Sequence, residues 1–277
     1  MTDMHDDGIT RPSGRVLIVA GSDSGGGAGI QADIKTVTAL GGFAMTAITA
    51  LTAQNTEGVF GIYGTPPEFV RQQMTLVLDD IGADVIKTGM LLNAEIIAAV
   101  ADEVAARASQ VPLVIDPVMV AKGGAGLLAD AAVEALRTRL LPMATLVTPN
   151  VPEAELLAGR PITSEDDMLA AGQAILGLGP KAVLMKGGHL TGEVVNDFLV
   201  TTDGCITISG PRFETAHTHG TGCTLASAIA TGIGQGLSLH SACERARRYV
   251  EEAIRTAPGL GRGHGPLNHL WVLPKQA

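Results

Sequence analysis

The chain has 277 residues, 46% of them hydrophobic, with 19 Lys and Arg against 28 Asp and Glu and a formal net charge of −9. That balance offers no basic footprint for a nucleic acid, no apolar run reaches the length of a membrane span, and an odd set of cysteines (Cys205, Cys223, Cys243) without a C-x-x-C pair argues against a disulfide framework or a zinc ribbon. What remains is a small-molecule reaction in a reducing, cytoplasmic setting, carried by one domain of residues 14–277 behind a flexible leader of residues 1–13.

Arg15 to Ala20 is a short continuous apolar run ended by glycine, which suits a strand buried on both faces of a parallel sheet. Gly21 to Gly29 is a glycine loop, and Ile30, Ile34, Val37 and Leu40 then recur at helical spacing. The loop lacks the Lys-Ser/Thr of a P-loop and the G-x-G-x-x-G register of a dinucleotide site. Residues 44–55 read as a second strand, and Thr65-Pro66-Pro67-Glu68 as a capping box opening a helix whose apolar face runs from Phe69 to Ile81. Strands are expected over 84–90, 112–116, 145–148 and 181–186. Helices are expected from the Asn93 cap to Ala108 and over 130–141, 152–159 and 164–177. This alternation implies an α/β fold, a mostly parallel central sheet with helices on both faces. Asp203-Gly204 between Val194–Thr201 and Cys205–Ser209 adds an antiparallel edge hairpin, and Ser238 caps a final amphipathic helix.

Thr218 to Leu225 (T-H-G-T-G-C-T-L) runs into a small-residue helical pattern. Backbone N–H groups at such a helix start, with glycines allowing close approach, suit a phosphate, and they lower the pKa of a thiol such as Cys223. The same stretch also suits a plain turn into a buried helix with Cys223 packed as a small apolar residue. Ligands of open α/β sheets bind at the carboxyl ends of the strands, where this sequence places Gly21, Gln54, Lys87, Met90, Asp116, Asn150, Glu153 and Lys186. A lysine, an acid pair and an anion loop are the parts that phosphoryl transfer uses, although each residue alone also fits a cap, a turn or a strand end. Asp33, on the buried side of the first helix, suits either an acceptor for an amino group near Gln54 or a salt bridge. His217 and His219 alternate on an expected strand but lack the further ligands of a zinc site.

Seven motifs in order carry a resemblance: residues 20–33 (A-G-S-D-S-G-G-G-A-G-I-Q-A-D), 48–56, 87–91 (K-T-G-M-L), 116–124, 148–154 (T-P-N-V-P-E-A), 183–189 and 218–225. Together they are similar to the hydroxymethylpyrimidine/phosphomethylpyrimidine kinases of thiamine biosynthesis, within the ribokinase-like superfamily. The resemblance spans about residues 15–270. It implies a ribokinase-like fold, a homodimer, and ATP- and Mg²⁺-dependent phosphorylation of a hydroxymethyl aminopyrimidine and then of its monophosphate. It places Gly21, Asp33, Gln54, Met90 and Val118 in the pyrimidine pocket, Lys186 at the phosphate charge, Asp116 and Glu153 near magnesium, and Gly220, Thr221, Gly222 and Cys223 in the anion hole. Thr52 departs from the aliphatic residue that the resemblance expects there. Pyridoxal kinase and a catalytically silent aminopyrimidine-binding protein are the alternatives.

Overall fold

The computed structural model describes residues 11–119 and 129–273. Most of the expected leader and the end of the 116–124 motif lie outside the described residues. Their strands form one nine-stranded sheet in the order β3-β2-β1-β4-β5-β6-β7-β8-β9. The strands are β1 (Arg15–Asp23), β2 (Phe43–Asn55), β3 (Gly58–Gly64), β4 (Val85–Thr88), β5 (Leu113–Ile115), β6 (Leu146–Val147), β7 (Ala182–Met185), β8 (Val194–Thr201) and β9 (Gly204–Pro211). From β2 through β7 the neighbours run parallel, while β3 at one edge and the β8–β9 hairpin at the other run antiparallel.

Side chains that alternate along β1 feed two cores. Leu17 and Val19 pack with α2 (Pro67–Asp80), α3 (Ala94–Arg107), α4 (Asp130–Ala135), α5 (Val151–Ala158) and α6 (Glu165–Leu176) on one face. Val16, Ile18 and Ala20 pack with α1 (Gly29–Ala39), α7 (Thr221–Gly234) and α8 (Leu239–Arg255) on the other. All five β1 side chains are buried, which is why the strand reads as a continuous apolar run instead of an alternating one. The small residues of α7 let it lie close to its neighbours: a Cβ at Gly232 would come within 2.9 Å of the Ala242 Cβ.

Several local expectations need correction. β1 continues past Gly21 to Asp23 with a register shift between Ala20 and Ser22, so that glycine bends the strand and does not end it. Strand β3 has no counterpart in the sequence reading. The capping box at Thr65 does not form; Pro66 occupies the cap position and no side chain caps α2. Helix α4 gives way to a π turn at Leu136–Leu140 and a 3₁₀ turn at Leu141–Met143, where Pro142 cannot continue an α-helix. In the edge hairpin Thr201 pairs with Gly204, so the two-residue turn is Thr202-Asp203 and Gly204 opens β9. His217 lies in a loop, and His219 joins only an isolated bridge to Pro266. Caps at Asn93 and Ser238 form as expected, and Ser164 also caps α6, each accepting a backbone N–H of the first turn.

The chain order places the site. From β1 the sheet grows outward to β2 on one side and to β4 on the other, and at such a switch point a crevice opens beyond the carboxyl ends of the strands.

Candidate active site

A cleft of about 760 Å³ occupies that crevice, with Gly21, Ser22 and Asp23 of β1 on one wall and Gly89 and Met90 after β4 on the other. Asp23 organises the glycine loop: Oδ1 accepts from the Gly25 N–H at 2.8 Å, and Oδ2 from Gly27 at 3.0 Å and Ala28 at 2.8 Å. Burial works against the Asp23 carboxylate, yet these N–H groups and His219 outweigh it and lower its pKa. The loop leads into α1 through Gly29, whose φ of 54° lies in the left-handed region and whose position leaves no room for a Cβ beside the Gly21 carbonyl.

The second loop meets the first. Gly220 caps α7 with φ 82°, and a Cβ there would run into the Gly27 carbonyl oxygen. The first intrahelical bond is Thr224 N–H to Gly220 O at 2.9 Å, so the preceding N–H groups stand at the positive end of the helix without internal partners. Gly222 faces the charged cluster: its missing Cβ would sit 3.3 Å from Lys186 Nζ and 3.5 Å from Asp116 Oδ2. Cys223 follows, close enough to the Gly29 N–H for that group to favour its charged form, so it stands near the start of α1 as well as of α7. Burial nevertheless pushes the thiol up to about 12; Lys87 and the Gly29 N–H pull downward, and Asp33 and Asp116 push further up. The expected thiolate is thus corrected to a neutral thiol, because desolvation exceeds what the helix starts provide.

Lys186 Nζ stands 3.0 Å from Asp116 Oδ1 and 3.8 Å from Glu153 Oε2. Burial opposes its charge, but the two carboxylates raise its pKa and hold the ammonium. Glu153 is pushed up to about 7, chiefly by burial and then by Asp116, with Lys186 acting in the other direction. Glu153 also serves the fold. Its Oε2 accepts the Asn150 N–H at 2.8 Å while Asn150 Oδ1 accepts the Glu153 N–H at 3.0 Å, a complete capping box for α5. Two carboxylates beside an ammonium fit a Mg²⁺ that keeps most of its waters and is shared with phosphates; among the described residues no group of three or more acidic, His or Cys side chains could hold an ion by itself.

Gly21, Gln54, Met90 and Val118 line the cleft. Gly21 and Met90 meet closely there: a Cβ at Gly21 would lie 2.6 Å from Met90 Cε and would displace the end of that side chain. Gln54 Nε2 lies 3.2 Å from His219 Nε2, which in turn lies 2.9 Å from Asp23 Oδ2. His219 therefore joins both loops and the pocket; Asp23 and His219 are the residues the sequence reading missed, and their position inside the two glycine-rich motifs was the signal for them. Arg212 also lines it and is held by the carbonyls of Gly188, Leu190 and Gly192.

Asp33 is not in the pocket. It is 0% exposed, both its oxygens lie 2.9 Å from Lys87 Nζ, and Ser227 Oγ donates to Oδ1 at 2.7 Å. Burial opposes the Lys87 charge, but Asp33 and then Asp116 keep the ammonium charged. With its acceptor capacity spent inside the protein, the salt-bridge alternative replaces the role of amino-group acceptor.

A family model described as phosphomethylpyrimidine kinase matches residues 23–268. The chain belongs to this family. Among phosphomethylpyrimidine kinase relatives, the hydroxymethylpyrimidine/phosphomethylpyrimidine kinase of Streptomyces coelicolor is 50% identical over 260 residues, covering 93% of this chain and 95% of that one. The thiamine biosynthesis bifunctional protein ThiED of Geobacter sulfurreducens is 54% identical over 259 residues, 94% of this chain; the chain spans only about half, 53%, of that relative's length. Among solved structures, a Bacillus subtilis pyridoxal kinase in an ADP complex superposes with a TM-score of 0.86 at 33% identity, covering 93% of this chain and 98% of that one.

The buried pair gives a direct test. Asp33→Ala leaves the Lys87 ammonium uncompensated and is expected to cost about 3–5 kcal/mol of stability, read from guanidinium unfolding. A loss under about 0.5 kcal/mol, the scale of an ordinary surface change, would remove its structural role.

Proposed function

We propose that this protein is an ATP-dependent kinase that phosphorylates 4-amino-5-hydroxymethyl-2-methylpyrimidine and then its monophosphate, in thiamine biosynthesis. The observation that carries the reading is the convergence of the Gly220–Cys223 backbone, Lys186 and Asp116 at one point of the cleft. The same cleft is lined by Gly21, Gln54, Met90 and Val118 and by Arg212. Membership of a kinase family, and the likeness to a pyridoxal kinase in an ADP complex, support ATP as the donor. Asp116 and Glu153 would hold Mg²⁺ through its waters, and the ion would neutralise phosphate charge.

In this mechanism the pocket holds the pyrimidine so that its hydroxymethyl oxygen points toward Gly222. That oxygen attacks the γ-phosphorus as the bond to the β-phosphate oxygen breaks, and ADP leaves. Lys186 and the N–H groups at the start of α7 stabilise the charge spread over the transferred oxygens. Cys223, as a neutral thiol, accepts a hydrogen bond from the attacking hydroxyl and aims it. In a loose transition state the proton moves late, and it passes to the transferred phosphate. For the second round the acceptor is a phosphate oxygen of the monophosphate, and the same charges serve.

Pyridoxal kinase is the second reading, favoured by the structural likeness just described. The stronger identity to pyrimidine kinases ranks it lower. In the preferred reading the enzyme is cytoplasmic and a homodimer. The exposed aromatic side chains Phe60 and Tyr63 of β3, outside the cleft lining, offer apolar surface for the second copy.

Incubation with ATP and Mg²⁺ should give mono- and diphosphorylated aminopyrimidine by mass spectrometry; pyridoxal phosphate as the sole product would sink the preferred reading. Cys223→Ala should lower kcat by about 10²-fold or more with nucleotide affinity nearly unchanged, and Cys223→Ser, which keeps an oriented acceptor, should recover part of it. A serine variant as inactive as the alanine variant would instead require a thiolate base. Sedimentation velocity should show a dimer, and a monomer would remove that part of the reading.

A further inference from the structure

Gln54 sits in a network that has too few protons for one orientation of its amide. Thr52 has a single hydroxyl proton, and its Oγ1 lies 2.9 Å from the Ser22 carbonyl oxygen and 3.1 Å from Gln54 Oε1. His219 has a single Nε2 site, 2.9 Å from Asp23 Oδ2 and 3.2 Å from Gln54 Nε2. With Oε1 toward Thr52, the hydroxyl serves either Ser22 or Gln54 and leaves the other contact as oxygen against oxygen. Likewise, His219 Nε2 must accept from Gln54 while it faces a carboxylate. Turning the amide over by 180° removes both conflicts. Gln54 Nε2–H then donates to Thr52 Oγ1, the Thr52 hydroxyl donates to Ser22 O, and His219 Nε2–H lies between two acceptors, Asp23 Oδ2 and Gln54 Oε1. The network therefore selects one orientation.

The frame that holds it is rigid. Thr52 pairs with Asp23 across the parallel β1–β2 ladder, and Ser24 Oγ both accepts the Gln54 N–H and donates to the Gln54 carbonyl, each at 2.8 Å. Thr52, Gln54 and His219 all line the cleft.

We propose that Thr52 is a specificity-determining residue: together with His219 it anchors the Gln54 amide in one orientation, and its hydroxyl sharpens the choice of a 4-aminopyrimidine edge over the 4-oxo counterpart. The inference rests on the reading of Gln54 as the pyrimidine contact. A 4-aminopyrimidine presents a ring-nitrogen acceptor beside an amino donor, whereas the 4-oxo form presents a ring N–H beside a carbonyl. An amide free to turn pairs with either. An amide held by Thr52 pairs with one and sets donor against donor and acceptor against acceptor in the other. Thr52 acts through Gln54 and needs no contact with the reacting atoms.

The test compares wild type, Thr52→Val and Thr52→Ser. For each, KM and kcat are measured with 4-amino-5-hydroxymethyl-2-methylpyrimidine, and the inhibition constant with its 4-oxo counterpart. Valine keeps the shape and deletes the hydroxyl while the His219 contact remains, so the ratio of inhibition constant to KM should fall about threefold to tenfold, with KM changing more than kcat. Serine keeps the hydroxyl and should hold the ratio within about twofold of wild type, which a packing role for the threonine methyl group would not do. A ratio unchanged in Thr52→Val, or lost equally in Thr52→Ser, overturns the role of Thr52 and leaves the kinase reading standing. Failure of the wild type to phosphorylate the aminopyrimidine overturns both.

Discussion

The ion pair between Lys87 and Asp33 lies under the floor of the cleft, and the active-site geometry is built on it. It ties the end of β4 to α1, and Ser227 extends the tie to α7. These are the two helices whose first turns carry the two glycine loops. A buried pair of this kind adds little net stability compared with apolar packing, because desolvation of both charges cancels most of their attraction. Its effect lies in constraint, since α1 cannot slide without separating two buried charges and α7 cannot slide without taking a buried hydrogen bond from Asp33. Gly89 forms the wall between the ammonium and the cleft, and a Cβ there would lie 3.2 Å from Lys87 Nζ.

With both helices fixed, the loops at their starts come together where a side chain would not fit. The contact of Gly220 with the Gly27 carbonyl and the contact of Asp23 with His219 close the seam between them. Positive potential is thereby gathered from the first-turn N–H groups and Lys186. Asp116 sits among them, close enough to Lys186 to keep its charge. In a water-poor site such fixed charges act on phosphate more strongly than the same groups would at the surface.

Much of this was readable from residue order, and the exceptions share a cause. Buried parallel strands show as apolar runs ended by polar residues, so β1, β4, β5 and β7 and the polar rim at their ends could be placed. Strand β3 was missed because its glycines interrupt it three times and its aromatics Phe60 and Tyr63 point to solvent, which leaves neither alternation nor a continuous run. The burial of Asp33 was legible from helical spacing, but its partner Lys87 is 54 positions away, a distance that spacing cannot cross. Glu153 combines two readings that had stood as alternatives, since it caps α5 and faces Lys186 at once. His219 was set aside because it lacked metal-ligand companions, although its real companions are an acid and an amide from other loops.

The protonated state of Cys223 also bears on how this enzyme ages. Alkylating agents and peroxides attack the thiolate, and a thiol held near 12 offers almost none at neutral pH. In the proposed mechanism, a cysteine beside the transferred phosphate can therefore persist without the oxidative sensitivity that usually follows a nucleophilic thiol. Cys243 is buried and held near the same value, so the first chemical damage would fall on exposed Cys205, at the start of the edge hairpin and away from the cleft lining.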